Sequence, residues 1–352
     1  MKVIKKLLKL LAIVILALAG ILAAIIVYAL VTDYRPAEKT LVEVNDNPGR
    51  LSDTATLNLL TWNLGYAGLD DRMDFFYDGG KKVFTPKLQC LKNLAGIMKF
   101  LKGNDSTDIF LLQEVDRKSR RSYRVDEFAT ITAHEKYASN SFATNYKVFF
   151  VPVPFSSPMG KVWSGIATLS KPVPESVVRY SFPGEYGFPK QLFMLDRCFT
   201  VSRYPLKSGR ELVLVNTHNE AFDPGQIRKA QMEYLKKFIL AEYKAGNCVI
   251  AGGDWNQCPP DFRPGFAKNA VNREQMMIPS DYLPSEWQWA YDRNTPSNRS
   301  VVAAYDQAAT PTTTIDFFLL SPNVSLVSVN CMDLGFANSD HNPVRIKVKL
   351  RQ

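Results

Sequence analysis

Cysteine and histidine are both sparse. The five cysteines (Cys90, Cys198, Cys248, Cys258 and Cys331) are scattered, odd in number and without a CxxC pair. That spacing indicates neither a zinc site nor a disulfide framework, although a single bridge stays open. No internal repeat or low-complexity tract occurs, no acid precedes Asp33, and no charge falls between residues 10 and 31. Positive charge is thin as well: of the net +9, four charges are Lys2, Lys5, Lys6 and Lys9, which leaves +5 for the rest. A mildly basic remainder favours an anionic substrate or surface without demanding nucleic acid. Apolar material is ample. With 46% hydrophobic content in 352 residues, the chain can bury a full core, as one large α/β domain or two small ones.

The uncharged run over residues 10–31 is 22 residues long. As a helix rising about 1.5 Å per residue it crosses the roughly 30 Å hydrocarbon layer of a bilayer. The lysines before it predict a cytoplasmic N-terminus, so everything after Thr32 is expected outside the cytoplasm. A cleaved signal peptide is the alternative, but the run exceeds a usual h-region and no clear small-x-small site precedes Asp33. The chain thus divides into a basic cytoplasmic segment (1–9), a transmembrane anchor (10–31), a tether (32–56) and a globular part (57–352).

Within the globular part, apolar runs repeatedly end on polar residues. Residues 249–251 suit a buried strand, Gly252 and Gly253 let the backbone turn sharply, and the period of two puts Asp254 and Asn256 on one side. A plain turn is the competing explanation, since Gly, Asp and Asn are turn residues. Residues 57–63 alternate and end on Asn63, with Gly65 and Gly68 following. Within residues 108–114 the run between Asp108 and Gln113-Glu114 is continuously apolar, which suggests burial on both faces. A carboxylate at such a tip is a natural ligand for a hard divalent cation, or else a helix N-terminal acid. Residues 211–218 end on His218, Asp316 opens an apolar strand, and Asp340 and His341 precede a final alternating strand over 344–350.

Helical spacing predicts helices over 86–101 and 224–243, while residues 117–146 read as a helix with loops that carries a surface histidine, His134. Residues 147–170 read as strands around a loop, and 192–204 as a strand. Two loops rich in aromatic residues, 69–83 (with Phe75, Phe76 and Tyr77) and 182–188, are candidates for a substrate-facing rim, though proline and glycine need only imply irregular coil. Arg117, Lys118, Arg120, Arg121 and Arg124 cluster after Glu114 and could grip a phosphate backbone or an anionic lipid surface, or form a solvated helical face.

Only three histidines exist, and two stand at strand boundaries beside carboxylates. The ordered set Thr61-Trp62-Asn63, Gln113-Glu114, Asn216-Thr217-His218, Gly253-Asp254-Trp255-Asn256, Ile315-Asp316-Phe317 and Ser339-Asp340-His341 resembles the endonuclease/exonuclease/phosphatase superfamily, over roughly residues 57–350. That superfamily includes pancreatic-type deoxyribonuclease, abasic-site endonucleases, neutral sphingomyelinases and inositol polyphosphate 5-phosphatases. The resemblance implies a four-layer α/β/β/α sandwich of two mixed β-sheets, here preceded by one transmembrane helix.

Roles follow from the resemblance position by position. Glu114 binds Mg²⁺, or Mn²⁺, with help from Asn63, and Asp340 belongs to the metal site or its surroundings. His341 acts on the attacking water, and Asp316 holds its imidazole in the right tautomer. Asp254 and Asn256 orient nucleophile and phosphate, and His218 contacts the phosphate or assists the leaving group. Phosphoryl transfer needs charge neutralisation, an in-line water and a proton acceptor, and these residue types supply all three.

Two departures bear on the substrate. Abasic-site endonucleases carry an acid two residues after the first-strand Asn, where this chain has Gly65, and no extra loop rich in Arg and Lys offers to wrap a duplex. The expected function is a metal-dependent phosphoesterase acting on lipid head groups outside the cytoplasm. An anchored nuclease, and a non-catalytic binding module on the same fold, are the alternatives.

Overall fold

Leu57 and Leu59 face one side of their strand and Leu60 and Trp62 the other, and all four are buried because this strand has a packed layer on each face. The computed structural model describes residues 2–134, 137–223, 225–266 and 276–351. After helix α1 (Lys2–Thr32) come strands β1 (Lys39–Val44) and β2 (Thr56–Asn63), helix α2 (Lys87–Gly103), β3 (Ile109–Asp116) and helix α3 (Glu127–His134). Strands β4 (Ser139–Val151), β5 (Gly160–Ser170), β6 (Ser176–Ser181), β7 (Cys198–Pro205) and β8 (Glu211–His218) lead to helix α4 (Gln226–Lys244) and β9 (Cys248–Asp254). The chain closes with β10 (Gln288–Ala290), β11 (Asn298–Arg299), β12 (Thr312–Thr313), β13 (Asp316–Leu320), β14 (Val324–Cys331) and β15 (Val344–Leu350).

Two large sheets result, ordered β1-β6-β7-β8-β9-β13-β10 and β14-β15-β2-β3-β5-β4, and β11 and β12 pair as a separate two-stranded ribbon. Each is mixed: β8 and β9 run parallel in the first, β2 and β3 in the second, beside antiparallel neighbours. The sheets face each other across Leu57, Leu59, Ile109 and Leu111 from one side and Leu212, Leu214, Ile250 and Phe318 from the other. Behind the first sheet, α4 buries Met232, Leu235 and Ile239 on Val213, Val215 and Val249. Behind the second, α2 buries Leu94, Ile97 and Leu101 on Leu60, Trp62 and Phe110. Helix, sheet, sheet, helix is the expected four-layer order, and the apolar runs are continuous because both strand faces are covered.

Several local expectations differ from the structure. Residues 39–44, expected within a tether, form β1 and pair antiparallel with β6. Residues 139–146 are the first half of β4, not helix and loop: Ser139, Ser141 and Ala143 are buried in alternation with half-buried neighbours, the period of a strand. Gly252 and Gly253 lie inside β9 rather than in a turn. A Cβ on Gly252 would stand 2.4 Å from the Phe318 ring, and one on Gly253 (φ +146°) 2.0 Å from the Thr217 carbonyl, so both glycines answer close approach. The helix expected over 224–243 is α4, with Pro224 outside the described residues, as is the side chain of His134. All five cysteines are buried and unpaired.

Helix α1 is long and apolar enough to cross a membrane. Its side chains are exposed except near its end, where Ala29 is buried and the Tyr28 ring lies 4.6 Å from that of Phe149 on β4.

Candidate active site

Side-chain parity builds the site. The alternation that sends Leu57 and Leu59 between the sheets sends Thr61 and Asn63 to the same face at the end of β2, and likewise Gln113 on β3, Asn216 and His218 on β8, Asp254 on β9 and Asp316 on β13. Lower in this face the residues are apolar, and near the tips they are polar. A buried layer separates the two zones. Gln113 Nε2 donates to Asn216 Oδ1 (2.8 Å) and Thr61 Oγ1 (3.1 Å), and Asn216 Nδ2 donates to the Ala167 carbonyl (2.9 Å), joining the sheets beneath the cleft.

Glu114 breaks the parity. It should face α2, but β3 bulges against β5 between Leu112 and Val115, and Glu114 takes φ +51°. The extra residue re-aims its carboxylate into the cleft, a strained conformation for a residue with a Cβ. Asn63 Nδ2 donates to Asp254 Oδ2 (2.9 Å) and reaches Glu114 Oε1 at 3.5 Å, while its Oδ1 accepts the Gly65 N–H (2.9 Å). Asn63 therefore shows the carboxylates its amide hydrogens. His218 Nε2 lies 3.5 Å from Asp254 Oδ2 and 3.9 Å from Glu114 Oε1. Asn256, also left-handed at φ +51°, donates its N–H to Asp254 Oδ1 (2.9 Å) and its Nδ2 to the Asn219 carbonyl (2.9 Å).

His341 sits across from these groups. Its Nδ1 is 2.7 Å from Asp316 Oδ2, and its Nε2 is 4.0 Å from both Asp254 Oδ2 and Asp340 Oδ2. Trp62 Nε1 donates to the His341 carbonyl (2.8 Å), and Ser339 Oγ to the Asn63 carbonyl (2.8 Å), which ties the His341 loop to the tip of β2. Gly65 has its own reason: at φ +51° a Cβ would stand 3.0 Å from Asp340 Oδ1 and 3.1 Å from Ser339 Oγ, so an acid there has no room. All eight predicted positions, Asn63, Glu114, His218, Asp254, Asn256, Asp316, Asp340 and His341, thus converge on one place.

Negative charge dominates this end of the cleft. Burial raises Asp254 to about 6, with Asp316 adding to it, and raises Asp340 to about 7, where His341 pulls it down and Glu114 pushes it up. Asp78 is lifted to about 6 by burial and Glu114. Burial would lower His341, but the carboxylates of Asp316 and Asp340 outweigh it and raise the imidazole to about 10. His218 is pushed the other way, by burial first and then by Arg197, His341 and Arg121. Such a gathering of acids suits a hard cation bound through oxygen. The ligand-competent atoms of Asp254, Asp316 and His341 also lie within 4.8 Å of one another, but the 2.7 Å hydrogen bond occupies one atom each of Asp316 and His341.

The surrounding cleft, of about 560 Å³, holds residues with weaker sequence signals. Asn298 Nδ2 lies 3.0 Å from His341 Nε2, Ser297 Oγ donates to Asp316 Oδ2 (2.8 Å), and Asn145 Nδ2 lies 3.4 Å from His218 Nδ1. Tyr77 and Phe222 meet at the mouth with ring centroids 5.1 Å apart. The basic cluster disperses. Arg117 pairs with Asp126 and Arg120 holds the Pro158 carbonyl, whereas Arg121 turns into the cleft. Loop 69–83 borders the cleft as expected, but Phe75 in it is buried. No residue of loop 182–188 is among the described lining residues: Phe182 packs in the core against Phe199, and the Tyr186 hydroxyl bonds Glu220 (2.8 Å).

The model of the Endonuclease/Exonuclease/phosphatase family matches residues 60–341. No curated protein matches the chain in sequence. Among solved structures, an endonuclease/exonuclease/phosphatase from Beutenbergia cavernae DSM 12333 is similar at TM-score 0.56 and 17% identity, over 84% of this chain and 72% of that one. ANGEL2, a 2′,3′-cyclic phosphatase in complex with adenosine-2′,3′-vanadate, is similar at TM-score 0.55 and 15% identity, over 88% of this chain and 100% of that one. TDP2 from D. rerio, complexed with a single-strand DNA product, is similar at TM-score 0.51 and 14% identity, over 84% and 99%. At these identities the likeness is one of fold.

Proposed function

Because the chain belongs to the endonuclease/exonuclease/phosphatase family, whose members hydrolyse phosphoesters, we propose that it is a divalent-metal-dependent phosphoesterase held at a membrane, acting on lipid head groups outside the cytoplasm. The carrying observation is the 2.7 Å contact between Asp316 and His341 Nδ1, which leaves Nε2 beside Asp254 and Asp340 in the cleft. Asp316 fixes the imidazole orientation, so Nε2 is the atom that would take the proton of an attacking water, once the charge of the surrounding acids that raise the imidazole to about 10 is offset by a bound cation. Asp254, held on one oxygen by the Asn256 N–H and on the other by Asn63, is placed to orient that water. His218, 3.5 Å from Asp254 and kept largely neutral by burial, faces the phosphate or leaving group.

Glu114 and Asp340, with Asn63 alongside, would hold the metal, Mg²⁺ by preference and Mn²⁺ as a substitute. When bound, such an ion neutralises charge on the phosphoryl oxygen and the leaving oxygen. The re-aimed carboxylate of Glu114 and the raised pKa of Asp340 both support that assignment.

The lipid preference rests on helix α1, on the lysines that precede it, and on a cleft bordered by the half-exposed rings of Tyr77 and Phe222. A duplex would call for many backbone contacts. The test is hydrolysis by the purified protein of a generic phosphodiester, a phosphomonoester, DNA and phospholipid vesicles, each with Mg²⁺ and with EDTA. Turnover that persists in EDTA, or in His341→Ala and Asp254→Ala at near wild-type kcat, would overturn the assignment. Cleavage of DNA alone would replace the lipid substrate with a nucleic acid.

A further inference from the structure

Four arginines line the cleft: Arg121, Arg197, Arg228 and Arg299. Two are occupied with loop backbone. Arg228 donates from Nε to the Glu220 carbonyl (3.0 Å) and from Nη2 to the Ala221 carbonyl (2.7 Å), and Arg299 holds the carbonyls of Ser300 (2.9 Å) and Asp70.

Arg197 differs. Its relative exposure is 5%, and two of its donors, Nε and Nη1, have no hydrogen-bond partner among the described residues, against one, Nε, in Arg299, whose other nitrogens are engaged. Its counter-charge, Glu220, approaches Nε only to 3.5 Å through Oε2. The other oxygen of Glu220 is already taken by the Tyr186 hydroxyl (2.8 Å) and the N–H groups of Ala221 (3.0 Å) and Phe222 (2.7 Å). A buried guanidinium with unmet donors is costly to keep, and an anion supplied from the cleft would meet them.

Position and neighbours fit such a ligand. Arg197 immediately precedes Cys198, whose register partner on β8 is His218, so it stands at the same sheet edge as the hydrolytic centre. Arg121 borders the same cleft. Two of its nitrogens are fixed by Asp116 (3.0 and 2.9 Å) and its guanidinium carbon lies 3.7 Å from the centre of the Tyr66 ring, so the group is pre-oriented, with no hydrogen bond from Nη1 among the described residues. Tyr146 lies near both: burial pushes its phenol up, while the charges of Arg121 and Arg197 pull it back.

We propose that Arg197 and Arg121 form an anion subsite, next to the hydrolytic centre, for a phosphate group other than the one hydrolysed, so that the preferred substrate carries two phosphates. Guanidinium N–H donors match phosphate oxygens one by one, and the acids around His341 leave the arginine side as the place where a second anion is favoured. The substrate class rests on the hydrolase reading above, whereas the subsite itself does not.

The experiment titrates inorganic phosphate into the full-length protein in a membrane mimetic with EDTA, by calorimetry. Metal chelation leaves the acidic centre repulsive to phosphate and makes turnover irrelevant, so failure here is separable from failure of the hydrolase reading. Wild-type protein is expected to bind saturably, and Arg197→Gln to bind at least about tenfold more weakly. Should Arg197→Gln not fold, Arg197→Lys takes its place, since it keeps the charge and loses the fork, and a several-fold weakening is expected. No saturable binding by wild type, or unchanged affinity in a folded variant, overturns the subsite. With Mg²⁺ restored, adenosine 3′,5′-bisphosphate is expected to bind at least about tenfold tighter than adenosine 5′-monophosphate, and Arg197→Gln to remove the difference. Equal affinity for the two would mean that the arginines take free phosphate only, which overturns the two-phosphate substrate.

Discussion

His341 Nδ1 lies 2.7 Å from Asp316 Oδ2, and that same oxygen accepts the Ser297 hydroxyl at 2.8 Å. Asp316 is paired across the sheet with Asp254, so one antiparallel register sets the partner of the imidazole and the water-orienting acid side by side. Ser297 Oγ also accepts the N–H groups of Ile315 and Asp316, each at 3.0 Å, which fixes the carboxylate before the histidine meets it. The imidazole is thus aimed by the sheet and not by its own loop alone.

Asp316→Asn keeps the shape but removes the charge that holds Nδ1–H. It should lower kcat by about 10²–10⁴ while changing KM little, because the loss is felt in proton transfer. Ser297→Ala, which frees the carboxylate, should cost less, on the order of tenfold. Steady-state kinetics on any confirmed phosphoester decides this, and an unchanged kcat in Asp316→Asn would remove the pair from the mechanism.

Glu114→Gln should weaken metal dependence sharply, since the amide preserves the bulge and discards the charge a hard cation needs. We expect activity to vanish in EDTA and to return with Mg²⁺ or Mn²⁺. In the variant, the metal concentration for half-activity should rise by at least about tenfold, given the roughly 1–3 kcal/mol of a charge-assisted contact. Full activity in chelator would exclude the metal.

Stability should fall as pH rises in the metal-free protein. Asp254 and Asp340, raised to about 6 and about 7, are favoured neutral in the folded chain, so their contribution declines from pH 4 through 7. His341, raised to about 10, contributes fully below its ordinary value of 6.5 and loses that contribution as pH rises through 10. Both run the same way. The unfolding free energy from urea titration in EDTA should decrease from pH 5 to 9 by an amount on the order of a few kcal/mol, and Mg²⁺ should restore stability more at pH 9 than at pH 5. A flat profile, or a larger metal effect at pH 5, would contradict this electrostatic picture.

Strand tips carried most of the legible information. Asn63, His218, Asp254 and Asp316 lie on the inward parity of strands whose lower residues are apolar, so period-two patterning gives the face of each, while the resemblance named them as one set and the sheet order brings the tips together. Glu114 could be named from its tip position, but not its bulge, which depends on β3 failing to keep register with β5. The expected turn at Gly252 and Gly253 missed because glycine there answers contacts from Phe318 and Thr217, neighbours that sequence does not bring near. Arg197 falls inside the strand expected over 192–204, but β7 starts only at Cys198, after a 3₁₀ turn over Lys190–Phe193, so the place of Arg197 emerges from the β7–β8 register. The cation cluster 117–124 was legible as charge but not as structure, because Asp116, Asp126 and Tyr66 redistribute it.

The lysine asymmetry around helix α1 predicts a domain outside the cytoplasm. A reporter fused after Gln352 should be active only in an extracytoplasmic compartment, and protease added to cells with a permeable outer barrier should shave the domain. Protection from the protease would reverse the orientation and make a cytoplasmic substrate the proper target.

Choice of substrate turns on the rings at the cleft mouth. Phe75 is 8% exposed and packs near Tyr66, so Phe75→Ala should destabilise the loop rather than report on substrate. Tyr77 and Phe222 are 38% and 41% exposed and lie edge to face across the entrance. Amphipathic and aromatic side chains so placed favour a bilayer interface, and helix α1 would hold the cleft within reach of one. We expect Tyr77→Ala and Phe222→Ala to reduce hydrolysis of vesicle phospholipid by about three- to tenfold, in line with roughly 0.5–1.5 kcal/mol per aromatic contact, and to leave a small soluble ester nearly unaffected. A nuclease would behave otherwise: its rate on DNA would fall by factors near 10³ between low and moderate salt, with both rings nearly silent. Equal loss on vesicles and on the soluble ester would mean that the rings shape the cleft itself, and the lipid assignment would lose its support.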